Sequence, residues 1–302
     1  MTYLYTSFYN IYSKYHLYQN LIIQINIFHV KMPSILTFNF SVAKKKKLAD
    51  YKEPFQIMPA TVNYVKDSDI DKYKNISNNN IIIHLNYVTR MFSSNGLEKD
   101  STIRYSLRQY AKLADKIGTK DILIHMPKSL QEWNNFILGY KIIHDELLSK
   151  GYNIHFEITA WTKDLHEEFG KETNRISVVK NYYDVLFDAA KSYGDTKYVY
   201  VVIDTAHMFS NGCTENDIIQ ILKEYDDKIK YIHWNGNLNK MFSSDSHVPI
   251  FDTQSKMSYD KISTYVAKLD KICVCEITKE DAPKSEWERY ANRYGFHLVS
   301  DL

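Results

Sequence analysis

Six short apolar runs in this chain each stop abruptly at a histidine or a carboxylate: Ile-Ile-Ile-His84, Ile-Leu-Ile-His125, Ile-His-Phe-Glu157, Val-Val-Ile-Asp204, Tyr-Ile-His233 and Val-Cys-Glu276. Runs this short and this rich in β-branched residues are buried strands, and their polar ends mark where each strand leaves the core. With two more candidates nearer the start, the predicted strands are Tyr3 to Phe8, Ser34 to Phe40, Ile81 to His84, Asp121 to His125, Tyr152 to Glu157, Tyr198 to Asp204, Lys230 to His233 and Ile272 to Glu276. Helical spacing falls between them, over Ile11 to Ile22, Ser101 to Ile117, Leu130 to Leu148, Ser177 to Tyr193, Asn216 to Tyr225, Tyr259 to Leu269 and Ser285 to Tyr294. No clear helix shows between Asp50 and Asn78. Strand–helix alternation over about 250 residues predicts an α/β fold, a (β/α)8 TIM barrel, with a doubly wound open sheet as the alternative. No internal repeat or linker divides the 302 residues, so one domain is expected over 1–302.

In a parallel barrel the carboxyl ends of all strands converge on one face. His84, His125, Glu157, Asp204, His233 and Glu276 should therefore meet in one mouth, with His207 of Asp-Thr-Ala-His and the Asp245-Ser-His247 loop beside them. Singly, such residues serve as rim histidines, helix N-caps or rim charges. Together they are different, because four carboxylates in one concave site without cations would cost several kcal/mol in repulsion and desolvation. Imidazole and carboxylate are ligands for zinc, manganese or iron, and nine of them exceed the needs of one ion. Two or three metal ions are expected.

From about Ser34 onward the chain resembles the endonuclease IV family of abasic-site DNA repair endonucleases, which includes members in large DNA viruses. The resemblance rests on Ile203-Asp204-Thr205-Ala206-His207 with Gly212 following, His84-Leu85-Asn86-Tyr87, His233-Trp234-Asn235 and Asp245-Ser246-His247. It departs from the family at His125-Met126-Pro127, at Glu157-Ile158-Thr159, at Gly236 in place of Asp and at Ser246 in place of Arg, and residues 1–30 match poorly. The resemblance implies three Zn2+ ions: His84, His125 and Glu157 on the first, Glu157, Asp204, His233 and Glu276 on the second, and His207, Asp245 and His247 on the third. Glu157 bridges the first two, and Glu157 and Glu276 are the expected catalytic carboxylates. Six positive charges against four negative leave about two positive charges in the mouth, suited to an anionic phosphodiester. The implied partner is double-stranded DNA containing abasic sites, cut on the 5′ side of the lesion in base excision repair. Tyr87 corresponds to a family residue that inserts into the duplex. Lys44, Lys45, Lys46 and Lys47 replace an arginine-bearing loop and would contact phosphate.

The remaining features narrow the setting. The longest apolar stretch, Leu21 to Val30, is broken by Gln24 and Asn26 and falls short of the roughly 18 residues of a membrane span. The first 49 residues hold neither a carboxylate nor an arginine and lack the pattern of a secretory leader. Three cysteines make no disulfide framework, so a reducing compartment, cytoplasm or nucleus, or a virion for a viral member, is expected. A net charge of +2 is too small to announce a nucleic-acid binder, although residues 1–53 carry seven lysines against Asp50 and Glu53. Cys273 and Cys275 lie two apart on a strand and should face away from Glu276, into packing against helices. His155 shares the face of Glu157 and reads as a packed histidine. A monomer is expected. Two other functions compete. A sugar isomerase or epimerase of the xylose-isomerase-like barrels would use one metal on Glu157, Asp204, His233 and Glu276, and a silent lesion binder would keep the barrel without turnover.

Overall fold

The computed structural model describes residues 32–41, 53–59, 65–73, 80–86, 91–93, 100–160, 162, 175–277 and 282–299. Contacts divide the chain into Met1–Met32 and Pro33–Leu302, and the barrel is built from the second unit. Its strands are β1 (Ile35–Ser41), β2 (Phe55–Met58), β3 (Ile81–His84), β4 (Asp121–His125), β5 (Asn153–Glu157), β6 (Val199–Asp204), β7 (Ile229–His233), β8 (Ile272–Cys275) and β9 (His297–Leu298). From β1 to β8 each pairs with the next in parallel, and β8 returns to β1 with Ile35 opposite Ile272 and Phe38 opposite Cys275. The ring closes as a (β/α)8 barrel, and β9 also pairs in parallel with β1, His297 with Ile35 and Leu298 with Leu36.

Two of the predicted elements, Tyr3 to Phe8 and Ile11 to Ile22, lie outside the described residues. The eighth barrel strand is β2, in the interval from Asp50 to Asn78 where the sequence shows no clear helix and none of the predicted strands falls. Only four residues long, it is enclosed by Pro54 and Pro59 and interrupted by Gln56, so its apolar signal is Phe55 on one side of Gln56 and Ile57-Met58 on the other. A short helix, Asp67–Ile70, follows and buries Ile70.

Period-two alternation sorts each strand between two cores. Ile81 and Ile83, Ile122 and Ile124, Val201 and Ile203, and Cys273 and Cys275 face outward into the layer beneath the helices. Ile82, Leu123, Val202, Tyr231 and Val274 face inward and fill the barrel. The two cysteines thus pack as the alternation predicts. Between β6 and β7 the register slips: Val201 pairs with Ile229 but Ile203 with Ile232, so three steps on one strand match two on the other. The extra residue lets Ile229 and Ile232 both face outward while Tyr231 lies in the inner core. A one-residue slip elsewhere would exchange the two faces, exposing isoleucines that contribute roughly 1.5–3 kcal/mol each when buried.

The outer helices include α1 (Asp100–Ile117), α2 (Phe136–Glu146), α3 (Arg175–Tyr193), α4 (Thr205–Ser210), α5 (Glu215–Glu224), α6 (Asp260–Val266) and α7 (Lys284–Tyr294). Helix α1 shows why they form: Ile103, Leu107, Tyr110, Leu113, Ala114 and Ile117 recur at three- and four-residue spacing and are buried. Gly118, at φ +88°, ends it and donates its N–H to Ala114 O at 2.9 Å. The stretch from Leu130 to Leu148, predicted as one helix, is two, because Asn135 breaks the run and its side chain donates to Phe92 O at 3.1 Å. Among the described residues no helix is long and apolar enough to cross a membrane.

Candidate metal centre

Inward parity at the carboxyl ends places His84, His125, Glu157, Asp204 and His233 on the barrel rim, with Glu276 one residue beyond β8. Asp204 does two jobs. It is the N-cap of α4, where its Oδ1 accepts the His207 N–H at 2.8 Å. That cap explains the Asp-Thr-Ala-His spacing, since the first turn of α4 brings His207 back over the strand that ended at Asp204. The other oxygen, Oδ2, faces the mouth. After β7 the chain forms a two-stranded ladder, Gly236–Asn237 against His247–Val248, which presents Asp245 and His247 to the same mouth. A Cβ on Gly236 would lie 2.9 Å from Pro249 O and 3.1 Å from Ile250 Cα, so the returning loop leaves room only for glycine. Phe242 adopts φ 59° at the loop tip, where its N–H donates to Ser210 O at 2.7 Å and ties the loop to the end of α4.

Three sets of ligand atoms result, each within 4.8 Å of one another: His84, His125 and Glu157; Glu157, Asp204, His233 and Glu276; and Asp204, His207 and His247. The first two coincide with the expected groupings. In the third, Asp204 stands beside the two histidines, and Asp245 Oδ2 lies 3.0 Å from His247 Nε2 and 3.5 Å from His207 Nε2. Glu157 belongs to two sets. Its Oε2 is 3.3 Å from His125 Nε2 and 3.6 Å from His84 Nε2, while its Oε1 is 3.0 Å from His233 Nδ1 and 3.2 Å from His207 Nδ1. His233 Nδ1 also lies 3.4 Å from Glu276 Oε2 and 3.7 Å from Asp204 Oδ2. Ligand atoms held about 2.1 Å from a tetrahedral zinc ion are about 3.4 Å apart, which is the spacing of these atoms. Moreover, buried Glu157 Oε2 accepts no hydrogen bond among the described residues. A carboxylate oxygen desolvated without a donor is costly, and a cation between it and the imidazoles would remove that cost. The donor set and its geometry fit divalent ions.

Electrostatics points the same way. Burial pushes the Glu157 carboxyl up, but His233 and His125 beside it, with hydrogen bonds from His207 and His233, hold it well below the usual carboxylate range. For His233, burial pulls down while Glu157, Glu276 and Asp204 push up, leaving it raised to about 9. His125 is instead lowered to about 3, chiefly by burial. Hydrogen bonds from His207 and His247 hold Asp245 below the carboxylate range. The carboxylates thus raise His207, His233 and His247 above the ordinary imidazole range, and a cation held among them would compete with those protons.

Two residues that sequence reasoning did not single out complete the site. Gln56 of β2 is fully buried, with His233 Nε2 donating to its Oε1 at 2.8 Å and its own Nε2 donating to Glu276 Oε1 at 3.1 Å. Asn235 donates to Asp204 Oδ2 at 2.8 Å and accepts the Glu276 N–H at 3.0 Å, joining the ends of β6 and β8. The motif His233-Trp234-Asn235 contained that signal, whereas Gln56 had none without β2. A cleft of about 420 Å3 opens beside His125, His207 and Asp245, walled by Leu85, Met91 and Phe92. Tyr87 and Lys44 to Lys47 lie outside the described residues.

No protein-family model matches this chain, and no curated protein sequence matches it. Solved structures do. The crystal structure of AsfvAP:AG, an ASFV AP endonuclease, superposes with a TM-score of 0.59 at 15% identity, covering 87% of this chain and 97% of that one. Endonuclease IV from Thermus thermophilus gives a TM-score of 0.57 at 15% identity over 86% of this chain and 97% of its own. The 3-keto-D-glucoside 4-epimerase of E. coli gives 0.54 at 11% identity over 87% and 99%. At these identities the likeness shows the fold, which nucleases and epimerases share.

Proposed function

We propose that this protein is a zinc-dependent abasic-site endonuclease that hydrolyses the DNA phosphodiester 5′ to the lesion. The observation that carries this reading is the gathering of nine ligand-type side chains into three adjoining sets. A single-metal sugar isomerase needs only Glu157, Asp204, His233 and Glu276, and it leaves His84, His125, His207, Asp245 and His247 without a purpose. In the proposed centre His84, His125 and Glu157 hold one ion, Glu157, Asp204, His233 and Glu276 a second, and His207, His247 and Asp245 a third, with Asp204 also near the last set. Divalent ions held there supply Lewis acidity toward the phosphate, the attacking water and the leaving oxygen.

The chain's own groups orient and shield that chemistry. Glu157, buried and split between two sets, fixes the distance between them, and Asn235 aligns Asp204 with the start of the Glu276 segment. In-line attack of water on phosphorus breaks the P–O3′ bond and leaves a 3′-hydroxyl, with no covalent enzyme intermediate. Tyr87 is the proposed wedge at the missing base, where part of the unstacking cost is already met by the lesion. Lys44 to Lys47 are the proposed phosphate contacts.

The test is incubation of the purified full-length chain with an end-labelled duplex carrying one abasic site, with and without chelator, alongside elemental analysis. Chelator-sensitive cleavage with about three zinc per chain supports the proposal. One divalent ion per chain with sugar turnover would replace it by the epimerase reading, and lesion binding without cleavage by the silent binder.

A further inference from the structure

Hydrogen-bond direction at Gln56 decides which nitrogen of His233 a metal can use. Glu276 is a carboxylate and can only accept, so the amide group of Gln56 facing Glu276 Oε1 at 3.1 Å must be its NH2. The opposite atom, Oε1, is then the one 2.8 Å from His233 Nε2, and an amide oxygen can only accept. His233 Nε2 must therefore carry hydrogen. When this imidazole is neutral its lone pair is left on Nδ1, the atom lying 3.0 Å from Glu157, 3.4 Å from Glu276 and 3.7 Å from Asp204. The same amide engages one oxygen of Glu276 and leaves the other, Oε2, facing His233 Nδ1 and, at 3.6 Å, His247 Nδ1.

We infer that Gln56 is a positioning residue that imposes the Nε2–H tautomer on His233 and turns Glu276 Oε2 toward the second ligand set, so that this set alone depends on it. The role rests on the metal-centre reading above. Gln56 makes no hydrogen bond to His84, His125 or Glu157; its two bonds go to one histidine and one carboxylate of the same set. It is fully buried as the second residue of a four-residue strand. A buried amide there leaves both polar ends satisfied only because His233 and Glu276 stand on either side.

The experiment uses the full-length chain loaded with Zn2+, with histidine ring nitrogens labelled with 15N, and compares the wild type with Gln56→Met and Gln56→Glu. In the wild type, His233 should show the zinc shift at Nδ1 and the proton at Nε2; ligation through Nε2 overturns the inference whatever the variants do. Chelator competition should show one zinc step weakened about 10- to 100-fold in Gln56→Met while the other steps and the zinc-free melting curve shift little by comparison. Unchanged affinity at every step overturns the inference, as does a parallel fall at all steps, which would mean a packing role. Gln56→Glu keeps the size and the acceptor, so it retains the Nδ1 pattern even if Gln56→Met fails to fold; loss of that pattern in Gln56→Glu also overturns it. Failure of the wild type to take up any divalent ion, by contrast, refutes the metal centre itself and the role of Gln56 with it.

Discussion

The two ends of the barrel interior both bury carboxylates against imidazoles, and they differ in whether every carboxylate oxygen finds a donor. At the amino-terminal end Asp121 is saturated. Its Oδ1 accepts from His155 Nε2 at 2.8 Å and Asn153 Nδ2 at 3.1 Å, and its Oδ2 from Lys230 Nζ at 2.6 Å and Tyr231 OH at 3.3 Å. One lysine and three neutral partners satisfy both oxygens of the Asp121 carboxylate, while the far ring nitrogen of His155, Nδ1, is buried without a hydrogen-bond partner among the described residues. At the carboxyl-terminal end, among the described residues, Glu157, Asp204, Glu276 and Asp245 pair with five histidines and with no lysine or arginine, and Glu157 Oε2 is left without a hydrogen bond. The same residue types form a structural cluster where each carboxylate oxygen has its donor, and leave room for a cation where a carboxylate oxygen lacks one.

Breaking the upper end should have the largest effect. Glu157→Gln keeps the shape but removes the charge shared by two sets, so zinc uptake should fall and abasic-site cleavage collapse by orders of magnitude, while binding to an abasic duplex falls much less. Retention of full zinc and near-normal cleavage would show that the assignment is wrong. Breaking the lower end should do the opposite. Asp121→Asn removes a charged acceptor from His155, Lys230 and Tyr231 and should cost about 2–3 kcal/mol of stability in denaturant melts, leaving zinc content intact.

The lower end also predicts a pH dependence. Burial pushes Asp121 up, but His155 and Lys230 hold it well below the usual carboxylate range, and burial holds His155 below its ordinary value. Both folded values are depressed, so the unfolded chain binds more protons. Stability from His155 is fully present above about pH 6.5 and declines below it, and that from Asp121 is lost as pH falls below about 3.9 toward its folded value. Asp121→Asn should remove the Asp121 part of the acid limb, below about pH 3.9, while the His155 part remains, because the lost charge no longer offsets the burial of that imidazole. An unchanged profile below that pH would show that Asp121 is not its source.

Recognition should separate from both ends. Tyr87→Ala should leave zinc content unchanged and reduce the preference for abasic over intact duplex by about 1–3 kcal/mol, and an unchanged ratio would reduce Tyr87 to packing. The smallest effect is expected from changing Lys44 and Lys45 to Ala, which should flatten the slope of log affinity against log salt by roughly one to two units.

The rim was legible because a parallel barrel needs apolar parity on each strand, and a charged residue can end such a run only where the strand meets solvent. His84, His125, Glu157, Asp204, His233 and Glu276 each stood at the end of such a run, and their convergence followed from the alternation of strands and helices. β2 was not legible, since Gln56 breaks its run, and Gln56 is polar because it faces inward toward partners that are distant in sequence. The sequence by itself therefore determined the ligand-type side chains, their strand-end positions and the alternating α/β class, all of which depend on local periodicity. Only the tertiary structure decided that Asp204 stands beside the two loop histidines and that Gln56 accepts a hydrogen bond from His233, 177 residues away. Those are distances and hydrogen-bond directions between segments that closure of the barrel alone brings together.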